Sequence, residues 1–264
     1  MTQREKATPF PKVRPIKPDI EDAPMRQSRY PTLPRLPARA LLVAPSASGK
    51  TQTLIWMLME GYKGLFDRIF IFCKTADCDS AWAPLISYIR NEMKVPASER
   101  VLWTDWDGEA VREVMETAKL MTSYQRSKGR PPFSCAVIVD DHAEDQQVVR
   151  SKSSNGQGGE LVSLFVKGRH FGLSTFVTSQ SYKFLAPEIR KNALSLLAWR
   201  TRTSGASSDT QAIAEAVGGT LPGGAKQAEQ LLKEITSEKY QFAYLDMTAD
   251  PGKIWHRGWE PLGF

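Results

Sequence analysis

The sequence predicts an α/β domain with a mostly parallel central sheet flanked by helices, and three observations lead to this prediction. Short apolar runs alternate with amphipathic stretches from residue 39 onward. No segment of the chain is repeated. A strand pattern, a loop of small residues and a helix start follow one another directly at 40–53. One such domain with an extended N-terminal arm accommodates all 264 residues.

Each predicted strand is a short apolar run, which is typical of a strand buried on both faces of a parallel sheet. The predicted strands cover 40–43, 68–72, 101–103, 136–139, 174–178, 195–199 and 240–245. Between them the apolar residues recur at helical spacing. The predicted helices cover 50–62, 83–93, 110–125, 160–166, 209–217 and 226–235.

The composition excludes several classes of protein. With 41% hydrophobic and 24% charged residues, the chain has the composition of an ordinary globular domain. No apolar run approaches the roughly 18 residues that span a bilayer, so we expect an intracellular protein. The three cysteines, Cys73, Cys78 and Cys135, have neither the even number nor the paired spacing of a disulfide or zinc framework, and we expect them to be reduced and structural.

The segment ALLVAPSASGKTQT at 40–53 has the arrangement of a P-loop, in which consecutive backbone amides and a helix N-terminus surround a polyphosphate. Lys50 is predicted to contact the β and γ phosphates of ATP, and the Thr51 hydroxyl to ligate Mg²⁺. The predicted nucleotide-binding residues are Ala44, Pro45, Ser46, Ala47, Ser48, Gly49, Lys50, Thr51 and Gln52.

Two alanines in this loop depart from the usual pattern. Ala44 occupies the first motif position in place of glycine, and Ala47 lies where many P-loops use glycine to reach a positive φ. An alanine at such a position costs about 1 kcal/mol of strain.

A second candidate site follows the apolar run at 135–139, which ends in two carboxylates. Asp140 is predicted to hold Mg²⁺ through water, and Asp141 to orient or deprotonate the attacking water. By itself this pattern also fits a buried strand followed by an acidic turn, but the P-loop upstream favours the metal site. Gln180 follows a third strand, and its amide could contact the γ-phosphate or position water because it both donates and accepts.

These pieces together resemble the genome-packaging ATPases of poxviruses and other large or medium double-stranded DNA viruses, which belong to the FtsK-HerA class of DNA pumps. The resemblance covers about residues 39–200. It is carried by an Arg-His pair, a small-residue strand, a glutamine and a Pro-x-x-Ile-Arg-x-Asn run, matched here by Arg169, His170, Gln180, Pro187, Ile189, Arg190 and Asn192. It implies a P-loop NTPase fold of the RecA and FtsK-HerA kind.

The resemblance further implies a homo-oligomeric ring, a pentamer or hexamer, with ATP sites at subunit boundaries and double-stranded DNA threading the centre. A capsid or portal-vertex protein is the implied partner, and the cytoplasm or a viral assembly site of an infected cell, or the virion, the implied location. Arg169 is the first candidate for an arginine finger given to a neighbour's γ-phosphate, and Arg190 the second. Arg169 and His170 could instead cap the preceding helix, whose dipole favours positive charge there.

Two basic segments are candidates for contacts with DNA or protein. Residues 1–38 form a proline-rich arm, and residues 1–40 have a net charge of 9 − 4 = +5, nearly all of the chain's +6. The arm is either a solvated leader or a docking segment for a neighbouring subunit, a capsid protein or DNA. Arg150 and Lys152, in a polar glycine-rich loop at 144–159, are candidate contacts to DNA phosphates or part of a mobile surface loop.

Two other functions are compatible with the motifs. A monomeric P-loop kinase acting on a small molecule would need an arginine-rich lid, and the sequence has no clear lid signature. A non-catalytic nucleotide-binding capsid or scaffold protein would use the arm as its interaction device. The ATP-hydrolysing DNA-packaging motor is the leading hypothesis, with the ATPase domain at 39–264.

Overall fold

The structure is a computed structural model that describes residues 23–77, 79–142, 148, 159–201 and 208–263. The first 22 residues of the predicted arm, Cys78 and the candidate DNA contacts Arg150 and Lys152 lie outside the described residues. No helix in the described ranges has both the length and the apolar character needed to cross a membrane.

The described part of the chain is built around a nine-stranded sheet in the order β3-β2-β4-β5-β1-β6-β7-β8-β9. The strands from β3 to β6 in this order are parallel, and the last three are antiparallel. The prediction of a mostly parallel sheet is therefore confirmed. The strands are β1 (Arg39–Val43), β2 (Arg68–Cys73), β3 (Leu102–Trp103), β4 (Cys135–Asp140), β5 (Leu173–Ser179), β6 (Ser195–Trp199), β7 (Phe242–Asp246), β8 (Trp255–Arg257) and β9 (Glu260–Pro261).

Seven α-helices of three or more residues accompany the sheet in the part of the chain that the structure describes, and six of them were predicted from the apolar spacing. They are α1 (Lys50–Trp56), α2 (Ala83–Asn91), α3 (Gly108–Ser127), α4 (Glu160–Lys167), α5 (Pro187–Asn192), α6 (Asp209–Val217) and α7 (Gly224–Ile235). A π-helix, Met57–Gly61, continues α1, so the predicted helix at 50–62 is present but wider in its second half. Helix α5 was not predicted because six residues give too little periodicity.

The sheet is buried on both faces, which explains why its strands are continuously apolar. In β1, Leu41 and Val43 face one hydrophobic cluster, whereas Ala40 and Leu42 face the other. The first cluster includes buried residues of α3, α4, α6 and α7, and the second those of α1 and α2. Helices on both faces hold the central strands rigidly, so the loops at their carboxyl ends have fixed positions.

Residues 23–38, which belong to the predicted arm, pack against the domain. Leu33 and Leu36 are buried in the second cluster. The Tyr62 hydroxyl donates to the carbonyl of Pro34 at 2.6 Å. Arg26 forms an ion pair with Asp67 at 3.3 Å. These contacts attach the described part of the predicted arm to the domain from Arg26 onward.

Strand order determines which loops meet at the carboxyl edge of the sheet. Strand β5 lies between β1 and β4, and β6 lies on the other side of β1. Since these four strands are parallel, the segments that follow them lie at one edge, in the order of the strands. This brings the P-loop segment and the two aspartates to the same edge.

Candidate nucleotide-binding and active site

The loop between β1 and α1 has the backbone conformation of a phosphate cradle. Gly49, the residue before α1, has φ 91°, and Ala47 has φ 63°. Ala47 therefore adopts the left-handed conformation that glycine would reach more readily. The Ala44 amide donates to the carbonyl of Ser179 at 3.1 Å, which fixes the start of the loop to the end of β5.

Lys50 and Asp141 form an ion pair at this edge, with 3.2 Å between Nζ and Oδ1. Lys50 is only 6% exposed, whereas the Asp141 side chain is 30% exposed. Asp141 directly follows β4 and has φ 55°, an uncommon conformation for a residue with a side chain. The structure thus brings together the predicted phosphate-binding lysine and the predicted catalytic carboxylate.

Asp140, the last residue of β4, is buried at 3% exposure and is fixed by two donors. The Thr178 hydroxyl donates to Oδ1, and the Cys73 thiol donates to Oδ2 at 3.2 Å. Burial raises the pKa of Asp140, although both hydrogen bonds and Lys50 oppose this effect. A cation placed beside this carboxylate would therefore favour its ionised form.

The Cys73 thiol is part of the site, although the sequence analysis expected a structural role. Burial and the neighbouring Asp140 raise the pKa of Cys73 to about 12. The thiol therefore remains protonated at neutral pH and can donate to the carboxylate. This role follows from register, because Cys73 in β2 pairs with Asp140 in β4.

Thr178 is a site residue that the sequence analysis missed. It donates to Asp140 and also accepts a hydrogen bond from the Asp141 amide at 3.3 Å. One side chain thus positions both acidic residues. Threonine is common in strands, so no signal in β5 marked this position. Gln180 is exposed and directly follows β5. Because β5 lies between β1 and β4, Gln180 lies at the carboxyl edge between the P-loop strand and the strand that ends in Asp140.

The oxygen donors at this edge fit Mg²⁺ rather than a transition metal. Asp140 supplies a carboxylate, and Thr51, one residue into α1, supplies a hydroxyl. Magnesium usually takes one or two protein oxygens and completes its octahedron with phosphates and water. The described ranges contain no cluster of three or more His, Cys, Asp or Glu side chains that could hold a metal ion.

The first candidate arginine finger, Arg169, lies at the opposite edge of the sheet. Arg169 is exposed in a 3₁₀ turn that precedes β5. Burial, and to a smaller extent the charge of Arg169, lower the pKa of Arg39 at the start of β1. Strands β1 and β5 have five and seven residues, so the two edges of the sheet are about 15–20 Å apart along them. Arg169 is therefore separated from the Lys50–Asp141 pair of its own chain by the length of a strand. Arg190 lies on α5 over the Tyr182 ring, before the start of β6.

Comparison with solved structures identifies the fold. The DNA-packaging ATPase B204 from Sulfolobus turreted icosahedral virus has a TM-score of 0.56 at 14% identity, over 84% of this chain and 97% of that chain. B204 from Sulfolobus turreted icosahedral virus 2, in complex with ATP-gammaS, has a TM-score of 0.55 at 15% identity over the same shares of the two chains. The chain has the P-loop ATPase fold. This agrees with the packaging-ATPase resemblance of the sequence.

The likeness to B204 concerns the fold, since identity is low, and no family model and no curated protein matches the sequence. A P-loop ATPase fold places its nucleotide at the carboxyl edge of the sheet, where β1 ends. The Lys50–Asp141 pair and the buried Asp140 lie at this edge. The candidate site therefore lies at the edge where this fold places its nucleotide.

Proposed function

We propose that this protein is an ATP-hydrolysing motor that moves viral double-stranded DNA into a capsid and works as a homo-oligomeric ring. The observation that carries the proposal is the Lys50–Asp141 pair, 3.2 Å long, at the end of the P-loop strand in a fold shared with packaging ATPases. ATP binding and hydrolysis follow from the site. Translocation and packaging rest on the sequence resemblance and on the DNA-packaging function of B204.

ATP binds with its phosphates in the loop at 44–49, where the amides and the start of α1 face the negative charge. Lys50 exchanges its ion pair with Asp141 for the β and γ phosphates. Thr51 and Asp140 would hold Mg²⁺, which would supply positive charge to neutralise the phosphate oxygens. The hydrogen bonds from Thr178 and Cys73 keep the Asp140 carboxylate in one orientation.

Asp141 acts on the attacking water. When Lys50 turns to the phosphates, the Asp141 carboxylate loses its partner and can accept a proton or a hydrogen bond from water. Its φ of 55° and the hydrogen bond from its amide to Thr178 fix the carboxylate at the strand end. Gln180, at the end of the neighbouring strand, contacts the γ-phosphate or the water through its amide.

In a ring, a neighbouring subunit can supply an arginine to the γ-phosphate. Arg169 is exposed at the edge of the sheet opposite the P-loop, so it can reach a γ-phosphate only when that phosphate is bound by another subunit. An arginine supplied in trans stabilises charge on the transferring phosphoryl group and contributes roughly 10³- to 10⁵-fold in rate. Arg190 is the alternative finger.

The remaining partners are assigned from the resemblance. Double-stranded DNA passes through the ring, and Arg150 and Lys152 contact its phosphates without reading sequence. A capsid or portal-vertex protein anchors the ring at the viral assembly site inside an infected cell. The basic residues of 1–38 add positive charge for either partner.

The decisive experiment is ATP hydrolysis by the full chain at several protein concentrations, with and without double-stranded DNA. We expect activity per subunit to rise with concentration, to increase further with DNA, and to fall at least about 100-fold in Lys50→Ala. Activity that responds to neither concentration nor DNA would contradict the ring motor.

Two further measurements separate the two alternatives. Phosphate transfer to a nucleoside acceptor instead of water would identify a small-molecule kinase. Normal particle assembly by a Lys50→Ala variant without ATPase activity would identify a nucleotide-binding scaffold protein. In either case the motor proposal fails.

A further inference from the structure

A cavity of about 560 Å³ adjoins the phosphate loop on the side away from Asp141. Ala47 and Ser48 of the loop form one wall. Trp199 and Arg200, at the end of β6, and the segment 237–241 before β7 form the rest. The cavity is large enough for a nucleoside, and the described hydrogen bonds and ion pairs assign it no other role.

The direction of the triphosphate follows from strand order. The γ-phosphate lies at the Lys50–Asp141 pair, toward β4, and β6 is on the opposite side of β1. A triphosphate that occupies the loop with this orientation carries its sugar and base toward β6. The cavity is located there.

We propose that this cavity binds the nucleoside and that the Tyr240 ring stacks on a purine base. The inference rests on the proposed ATP site and adds a specificity residue to it. Tyr240 is 57% exposed although it is a large aromatic residue. Its Cδ1 lies 3.4 Å from the point where a Cβ on Gly49 would be, so the ring directly adjoins the phosphate loop.

The backbone holds the Tyr240 ring in this position at a cost. Tyr240 has φ 67°, which a residue with a side chain rarely adopts, and its carbonyl accepts a hydrogen bond from Trp199 Nε1 at 3.1 Å. Trp199 is buried and packs on Phe242 with 4.8 Å between ring centroids. A buried residue of β6 thus anchors the backbone of the segment before β7, and this fixes the position from which the exposed Tyr240 ring extends.

The charges around the ring suit a nucleotide. Lys239 Nζ lies 4.7 Å from the Tyr240 ring centroid, and Arg200 lines the same cavity. Both can contact the α-phosphate or the sugar hydroxyls. Glu238 and Ser237 provide acceptors for the exocyclic amine of a base. Purines are favoured over pyrimidines because they offer more stacking area.

The test compares two probes by calorimetry, both with Mg²⁺: a non-hydrolysable ATP analogue, and inorganic tripolyphosphate, which has no base. We expect Tyr240→Ala to lower the affinity for the ATP analogue about 5- to 100-fold. The affinity for tripolyphosphate should stay within about twofold of the wild-type value. Tyr240→Phe, the matched control, keeps the ring and the backbone strain and should bind both probes like the wild type. Lys50→Ala should bind neither probe measurably.

Two outcomes separate this inference from the ATP site itself. If the wild type binds neither probe, the proposed function fails. If the wild type binds both and Tyr240→Ala binds the ATP analogue as the wild type does, only the base-stacking role is refuted. A purine-to-pyrimidine preference that is unchanged in Tyr240→Ala would also refute it, and thermal unfolding of each variant excludes a misfolded protein.

Discussion

At the scale of single residues, the site depends on conformations and protonation states that the sequence indicates only in part. Ala47, Asp141 and Tyr240 all have positive φ without being glycine, and all three lie around the phosphate loop or its acidic partner. Such strain persists where the surrounding structure enforces it, and it is concentrated at functional sites. The predicted strain at Ala47 is of this kind.

Gly49 offers a direct test of the loop conformation. An alanine there would have to adopt φ 91° beside Tyr240, at a cost of about 1–2 kcal/mol. We expect Gly49→Ala to lower stability by this amount and to weaken binding of an ATP analogue. Gly64→Ala is the matched control, since Gly64 has φ 70° and no neighbour within 4 Å of an added Cβ. Equal losses of ATP affinity in both variants would contradict a local effect, as measured by calorimetry and thermal unfolding.

Cys73 should give the protein a characteristic sensitivity to alkali. Its pKa rises from 9.0 to about 12 on folding, so the unfolded chain loses the proton first. The stabilisation is therefore complete below pH 9 and is lost as the pH rises from 9 to 12. We expect Cys73→Ala, which is less stable at pH 7, to lose less stability than the wild type over this range. Urea unfolding at each pH measures the free energy of unfolding of both proteins. Parallel plots of this free energy against pH would refute the prediction.

At the scale of elements, the strand ends position the chemistry. The register of β2, β4 and β5 places Cys73, Asp140 and Thr178 side by side. The apolar patterns predicted these strands to within about two residues, because burial on both faces requires continuous apolar sequence. The patterns contain no information on which strands are neighbours. Strands β8 and β9 were missed, since three and two residues give no period.

The turn into β5 has little tolerance for change. A Cβ on Gly172 would lie 2.0 Å from the Phe133 carbonyl oxygen, and φ is 75°. We expect Gly172→Ala to destabilise the protein by about 3–5 kcal/mol, from the clash and the backbone strain together. Gly129→Ala has a similar φ of 65° in open space and should cost only about 1–2 kcal/mol. Chemical denaturation of the two variants measures the difference, and equal losses would exclude the clash.

At the scale of the whole molecule, the distance between Arg169 and the P-loop makes the finger proposal testable by mixing subunits. Arg169→Ala keeps an intact ATP site, and Lys50→Ala keeps an intact finger. We expect each variant alone to have at most about 1% of wild-type ATPase activity, and a mixture to regain a measurable part of it. Recovery requires that one subunit completes the site of another.

The mixing experiment has an internal control and a clear negative result. Lys167→Ala removes a nearby exposed charge of α4 and should retain activity. A mixture that stays as inactive as its components, while both variants still assemble by light scattering, would refute an Arg169 finger in trans. Repeating the mixture with Arg190→Ala tests the second candidate.

The sequence by itself determined the fold class, most of the strands and helices, the phosphate loop and the two aspartates, because these depend on local periodicity and on residue types at fixed spacing. Tertiary structure alone decided the strand order, and with it the roles of Cys73 and Thr178, the separation of Arg169 from its own P-loop, and the place of Tyr240 beside Gly49. The physical reason is that these residues lie about 40 to 190 positions apart in the sequence. Their proximity depends on which strands pair in the sheet, and no local pattern encodes it.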